Sequence, residues 1–338
     1  MQDYKKKDLS MKICVVYKQN SPFVIKDIEL LSKYYDVTPI QFELKLRKMF
    51  KLIRLLRGSD VVFIWFASYH AFFTTLLTRK PKIIVAGGYD VAGEPEIHYG
   101  LMIHPLWKRM VKFSLKRAKK IISVSESNKN ELIRHLGITS SVIVYNTVNW
   151  KNFGPSGNKD DTLVITVGYV DKVSWVRKGF STFVDVAKKS SELKNGLQFV
   201  VGGKVSEDMK EEMAKIQQAY TNLKFTGFLS EEELLHLYQE AKVYCQLSYH
   251  EGYGISVAEA MLCECVPVVT DKGALPEVVG DTGFYTEYGN ISQTIDAIQK
   301  AIQSQDEGKR ARKRILEQFP QEDREKKLKE IIEEIHME

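Results

Sequence analysis

Apolar runs of four to seven residues alternate with longer stretches of helical periodicity along most of this chain. The runs that read as strands are Lys12–Tyr17, Val37–Gln41, Asp60–Phe66, Lys82–Ala86, Lys120–Val124 and Ser141–Tyr145. After a polar break come Thr162–Val167, Leu197–Val201, Leu223–Phe225, Lys242–Leu247 and Val266–Thr270. Strands that are apolar on both faces and separated by helices predict parallel sheets covered on both sides. The one linker-like segment in the middle, residues 150–161, is crowded with Asn, Gly, Pro, Ser and Asp. The pattern predicts an α/β protein of two Rossmann-like domains, residues 1–149 and 162–305. Two charged helical runs broken by Pro320 form a tail, residues 306–338.

A length of 338 residues agrees with two cores rather than one. With 44% hydrophobic and 27% charged residues, the composition is that of a globular protein. No apolar stretch approaches the ~20 residues of a membrane span, and the charged start, Met1–Ser10, lacks a signal core. Met11 is a candidate natural start, with the first ten residues a disordered extension. Four cysteines without a pairing or zinc spacing suit a reducing cytoplasm, as buried thiols. The net charge of +6 conceals an asymmetry. Residues 1–150 hold 25 Lys and Arg against 12 Asp and Glu; residues 151–338 hold 24 against 31. A basic half beside an acidic half suggests that the first faces an anionic surface or acceptor.

Chemistry concentrates at residues 243–277. An apolar run ends at Leu247, the turn His250-Glu251-Gly252-Tyr253-Gly254 follows, and Ile255–Leu262 is helical. A strand feeding a glycine turn and then a helix presents backbone N–H groups at the positive end of a helix dipole, which suits phosphate. Glu251 stands at the mouth of that turn, placed to meet a group beyond the phosphates. Glu259, a little over two turns into the helix on this reading, is placed for a group nearer its flank, such as a ribose.

The segment from Glu251 to Glu259 closely resembles the E-x7-E signature of the retaining nucleotide-sugar glycosyltransferases of family 4, which have the GT-B fold. Other pieces agree in order: Asn146-Thr147-Val148-Asn149 at the end of the first domain, Val167-Gly168 followed by Lys178-Gly179, and Leu275-Pro276-Glu277. Gly202, Gly203, Gly227 and Phe228 fall where the family has its nucleotide loops. The match is good over residues 141–290 and poor before that. The resemblance implies two domains facing across a cleft, with the acceptor on the first and the donor on the second. It also implies that the tail crosses back to the first domain. By the same resemblance Glu251 touches the transferred sugar, Glu259 bonds the ribose, and Gly252, Tyr253 and Gly254 hold the donor. Arg177 and Lys178 would stabilise the diphosphate leaving group in place of a metal. No cofactor and no divalent ion is expected, and the chain has no Asp-x-Asp triplet.

Several positions depart from the family. Its arginine after the first glycine is Tyr169 here, so Arg177 is the candidate replacement. Lys18-Gln19-Asn20 stands where paired glycines are usual. Gly87-Gly88-Tyr89-Asp90 replaces a histidine near the sugar, which makes Asp90, His98 or His104 the candidate sugar or acceptor contact. The family's glycine after the second acid is Glu264, read as a surface change at a helix end.

In the first domain, Glu43–Arg57 has a stripe of Phe42, Leu46, Met49, Phe50, Ile53 and Leu56, read as the core face. Arg47, Lys48, Lys51 and Arg54 share the other face with Leu44, Leu52 and Leu55. A second basic stripe, Lys108, Lys112, Lys116 and Lys119, lies beside Trp107. Two readings stand side by side: a solvated face, or an interfacial helix on an anionic membrane serving a lipid-linked acceptor. Nucleic acid is not expected, because no recognition motif accompanies the charge. Two rival functions remain. Gly252-x-Gly254 partly fits a dinucleotide fingerprint, with Asp271 after the next strand, which would mean a nicotinamide-dependent oxidoreductase. Tyr169 and the altered loops allow a nucleotide-sugar-binding protein without turnover.

Overall fold

The structure, a computed structural model, describes residues 11–148 and 150–337. Met1–Ser10 and Asn149 of the first-domain motif lie outside the described residues. The chain forms two compact units, residues 1–146 with 322–338, and residues 147–321.

In the first unit the strands are β1 (Lys12–Tyr17), β2 (Asp36–Gln41), β3 (Val61–Trp65), β4 (Lys82–Ala86), β5 (Lys120–Ser123) and β6 (Ser141–Ile143). Between them run α1 (Pro22–Ser32), α2 (Leu46–Gly58), α3 (Tyr69–Leu77), α4 (Pro105–Leu115) and α5 (Glu126–Leu136). The sheet is parallel, in the order β2-β1-β3-β4-β5-β6. Alternation along each strand separates two cores. Cys14, Val16, Val62 and Ile64 pack under α2 to α4, while Ile13, Val15, Val61 and Phe63 face the other way.

The second unit has β7 (Asp160–Val167), α6 (Lys172–Arg177), α7 (Phe180–Leu193), β8 (Gln198–Gly202) and α8 (Lys210–Ala219). It continues with β9 (Leu223–Phe225), α9 (Glu231–Glu240), β10 (Ala241–Gln246), α10 (Ile255–Leu262) and β11 (Val266–Thr270). It closes with α11 (Leu275–Val279), β12 (Phe284–Thr286), α12 (Ile291–Gln303) and α13 (Glu307–Gln318). Its sheet, β12-β11-β10-β7-β8-β9, is also parallel. The expected linker is packed rather than free. Lys159 Nζ donates to Tyr238 O at 2.8 Å and Gln239 Nε2 donates to Gly154 O at 2.8 Å.

The tail divides. α13 belongs to the second unit, whereas α14 (Gln321–Met337) belongs to the first. Leu328, Ile331, Ile332 and Ile335 of α14 join the core that contains Ile13 and Phe63. A buried ion pair fixes it: Arg324 Nε and Nη2 donate to the two Asp27 carboxylate oxygens at 2.7 Å each. Arg324 Nη1 also donates to Val144 O and Tyr145 O, and Trp65 Nε1 donates to Asp27 at 3.0 Å.

One face assignment is corrected. Leu52 is 2% exposed and Leu55 half-buried, whereas Leu46 is 77% and Phe50 63% exposed. A helix apolar on most sides offers two candidate stripes, and α2 is anchored by Leu52 and Leu56, which lie four apart, with Met49 packed beside them. The exposed apolar set among the cations is therefore Leu44, Leu46 and Phe50.

Candidate active site

The chemistry-bearing residues of the second unit gather at the carboxyl ends of β7 and β10, where open parallel sheets bind ligands. After β7 the chain does not stay a plain loop. α6 forms there because Asp171 and Ser174 make a reciprocal capping box, with Asp171 Oδ1 accepting from Ser174 N at 2.7 Å. The short helix delivers Arg177 and Lys178 to the strand end. Gly179 then turns the chain into α7 with φ +70°, and a Cβ there would lie 1.9 Å from Leu247 O. Only glycine lets the start of α7 press against the end of β10.

Glu251 follows β10. Arg177 Nη1 lies 3.5 Å and Lys178 Nζ 3.8 Å from its Oε1. Ser248 Oγ and Gln246 Nε2 each donate to the same oxygen at 3.1 Å. The described contacts of this carboxylate all fall on Oε1. The loop above is held by Gly273, whose φ is +57° and where a Cβ would meet Glu251 N and O at 2.7 and 2.4 Å. Burial raises the Glu251 pKa, but the charges of Lys178, Arg177 and His250 outweigh it, so the group lies below its ordinary value and is ionised. Lys178 is lowered, chiefly by burial and partly by Arg177, with Glu251 and Glu259 opposing.

Glu259 sits deeper. Residues 252–254 are turn rather than helix, so Glu259 is the fifth residue of α10, just over one turn in and not two. Tyr238 OH donates to its Oε2 at 3.1 Å. Burial pushes its pKa up to about 7, against the opposing effects of Tyr238 and Lys178.

Of the predicted donor residues, Gly252, Tyr253 and Gly254 make the turn between the acids, with Tyr253 buried. Gly202, Gly203, Gly227 and Phe228 line up on neighbouring strand ends. Gly168 N donates to Gly202 O, Gly203 bridges Gly227, and Gly203 N donates to Thr226 Oγ1 at 3.2 Å. Beside them opens a cavity of about 580 Å³, lined by Lys204, Lys210, Met213, Phe225 and Phe228.

The first unit has its own concavity at the ends of β1, β3 and β4, about 390 Å³, lined by Lys18, Phe66, Tyr69, Tyr89, His104 and Trp107. Phe66 adopts φ +69°, an uncommon conformation for a bulky residue. Asp90, a candidate from the family motif, is among the lining residues but is fully buried. Its oxygens accept from Ala67 N, Gly87 N and Gly88 N, so it shapes the loop. Burial raises its pKa to about 6. His104 lines the concavity; His98 is exposed, in the left-handed region, and is not part of the lining.

Missing from the sequence reading were Tyr238, Tyr244, Gln246 and Ser248, the polar groups beneath the two acids. Gln246 carried a signal, a buried polar residue ending an apolar strand. Glu264 is not a simple surface change. Its φ of +63° requires the left-handed conformation that glycine adopts without strain.

Residues 148–318, just over half of the chain, match the profile of the Glycosyl transferases group 1, and residues 17–151 that of Glycosyltransferase Family 4. The chain belongs to the group 1 glycosyl transferases, with the two parallel six-stranded domains of the GT-B fold. Among its relatives is a phosphatidylinositol N-acetylglucosaminyltransferase subunit of Arabidopsis thaliana, 25% identical, covering 69% of this chain and 53% of that protein. The serotype-specific mannosyltransferase WbdA of Escherichia coli is also 25% identical, over 48% of this chain and 22% of its own. The chain thus spans about half or less of these two relatives. Among solved structures, sucrose-phosphate synthase from Thermosynechococcus elongatus has a TM-score of 0.79 at 15% identity, covering 97% and 99% of the two chains. HepE from Anabaena, in complex with UDP-glucose, has 0.77 at 14%, covering 96% and 100%. The family assignment removes the oxidoreductase reading, and the structure agrees: Gly252-x-Gly254 follows β10, not the first strand of its sheet. Among the described residues, no helix is long and apolar enough to cross a membrane.

Proposed function

We propose that this glycosyltransferase moves a hexosyl group from a nucleoside diphosphate sugar to an acceptor hydroxyl with retention of configuration and without a divalent ion. The observation that carries the reading is the convergence of Arg177, Lys178 and Glu251 at one strand end, beside a glycine turn that opens α10. As the bond from the sugar's anomeric carbon to the diphosphate oxygen breaks, charge develops on that oxygen. Two fixed cations and backbone N–H groups stabilise it. The acceptor oxygen bonds to the same face of the sugar, and its proton passes to the departing phosphate. Glu251 remains ionised throughout and acts by charge and position, since four donors or cations already surround its Oε1. Glu259 takes the ribose hydroxyls, and the cavity beside Gly203 and Phe228 takes the base. The UDP-glucose complex of HepE supports a uridine nucleotide as donor. Proton NMR of the first product formed in excess chelator tests the claim. Retention with activity intact is expected; an inverted anomer, or transfer restored only by magnesium or manganese, would overturn it.

The acceptor side follows from the first unit. Its aromatic-lined concavity suits a sugar or cyclitol ring, and Lys18, whose Nζ lies 4.8 Å from the Tyr69 ring centre, suits an adjoining anion. Leu44, Leu46 and Phe50 stand exposed among Arg47, Lys48, Lys51 and Arg54, which favours docking on the anionic cytoplasmic face of a membrane that carries a lipid-linked acceptor. The relative from Arabidopsis thaliana, whose name includes phosphatidylinositol, is compatible with this. Binding to vesicles of anionic lipid should fall as salt rises and be weakened by Lys48→Ser, Lys51→Ser and Arg54→Ser together. Leu46→Ser with Phe50→Ser should remove the salt-resistant part. A wild-type protein that ignores such vesicles at low salt makes this face ordinary solvated surface.

A further inference from the structure

Buried polar groups lie beneath both acids of the site, and those beneath Glu251 form a hydrogen-bonded set. Gln246 ends β10 and is 1% exposed. Its Nε2 donates to Glu251 Oε1 at 3.1 Å and to Ser248 Oγ at 2.7 Å, and its Oε1 accepts from Tyr244 OH at 2.8 Å. The amide orientation is fixed by chemistry. An ionised carboxylate only accepts, so the nitrogen must face Glu251 and the oxygen must face the phenol. Tyr238 packs beside Tyr244, with ring centres 5.9 Å apart. Tyr238 in turn donates to Glu259. A side chain needed only for packing at this place would be leucine or methionine. An amide whose donors and acceptor are all engaged specifies an orientation.

We propose that Gln246 is a positioning residue for the transfer: itself oriented by Tyr244 and Ser248, it holds Glu251 by one oxygen, leaving Oε2 for the ligand. This rests on the reading of Glu251 as the charge beside the transferred sugar. The groups facing Glu251 are Arg177 and Lys178 from the end of α6, His250 from its own loop, and Ser248 and Gln246 at the end of β10. Glu259 is faced by Tyr238 and Glu231 of α9 and by Lys178.

Three variants of the full chain test this: Gln246→Leu, Gln246→Glu and Tyr244→Phe, each checked for an intact melting transition. Gln246→Leu should lower kcat about 10- to 100-fold, the scale of a small misplacement of a reacting group, with the donor KM within about threefold. Gln246→Glu places a second carboxylate about 3 Å from Glu251. Two like charges that close do not both ionise, so the acid limb of the kcat profile should rise by about one pH unit or more. Tyr244→Phe should lower kcat less, and adding it to Gln246→Leu should cost nothing further, since both act on one amide. The carboxyl carbon-13 resonance of Glu251, assigned by its loss in Glu251→Gln, gives a readout independent of turnover. Its midpoint should rise in Gln246→Glu. If the wild type turns over no donor, the transfer reading fails, but the resonance still decides the positioning. A kcat within twofold for Gln246→Leu, or an unmoved Glu251 midpoint in Gln246→Glu, makes Gln246 a packing residue and overturns the proposal.

Discussion

Each unit buries an ion pair, and the two are satisfied to very different degrees. In the first, Asp27 and Arg324 meet through two bonds of 2.7 Å, and the other guanidinium nitrogen donates to two backbone carbonyls. Four of the five guanidinium N–H groups are used, and with both side chains 2% exposed or less the pair is closed to a ligand. In the second, Arg177 and Lys178 stand 3.5 and 3.8 Å from one oxygen of Glu251, longer contacts than those of the first pair, and Arg177 also donates to His250 O at 3.2 Å. Closure marks the first pair as structural. The longer contacts of the second, at a strand end beside a glycine turn, are the ones the proposed function uses for a phosphate. The same comparison explains why burial alone is a poor guide to function, since Asp90, fully buried, is consumed by backbone N–H groups.

The comparison breaks most visibly in stability. Arg324→Met strands Asp27 without its partner and should cost about 3–5 kcal/mol, the usual result of halving a buried pair. Adding Asp27→Leu should recover much of this in a denaturant titration. A loss below about 1 kcal/mol would mean that the pair is no clamp. Next in size, Lys178→Ala should leave the melting temperature nearly unchanged and lower turnover by about 100-fold or more. A large fall in stability with near-normal turnover would assign this lysine to the fold instead.

Glu259 sharpens the contrast through pH. Its folded pKa of about 7 lies above the unfolded value, so the stability tied to its proton is present below the unfolded pKa. That stability is lost as pH rises through about 7. Glu259→Gln, which cannot ionise, should therefore gain about 2 kcal/mol over the wild type at pH 8 and nothing at pH 4. Equal melting shifts at both pH values would contradict that sign. Smallest is Glu264→Gly, which relieves a left-handed φ and should stabilise by about 0.5–1 kcal/mol. A destabilised variant would mean that the Glu264 side chain contributes more than its backbone strain costs.

Much of the fold was legible in the sequence because buried parallel strands are continuous apolar runs; β1, β4, β9 and β11 match their expected bounds. β12, Phe284–Thr286, was missed because this edge strand leaves Tyr285 exposed and Phe284 half-buried between polar and glycine residues, so no apolar run announces it. The site was legible where a motif compresses it into one segment, from Glu251 to Glu259. It was not where partners are distant: Asp27 and Arg324 are 297 positions apart, and no local pattern links them. α6 was overlooked although Asp171-x-x-Ser174 announced its cap, because six residues are too few to show a helical period. The facing of α2 failed for a different reason. Its apolar residues span a broad arc opposite Arg47, Lys48, Lys51 and Arg54, so periodicity shows the cationic side but not which edge of the arc is buried.

Calorimetric titration of a uridine diphosphate sugar, in chelator, into the wild type, into Lys178→Ala and into the Lys48→Ser, Lys51→Ser, Arg54→Ser variant tests the central claim most directly. The account predicts wild-type binding without metal, at least about tenfold weaker binding to Lys178→Ala, and unchanged binding when the three cations of α2 are removed. Binding that vanishes in chelator, or that depends on α2 as strongly as on Lys178, would contradict it.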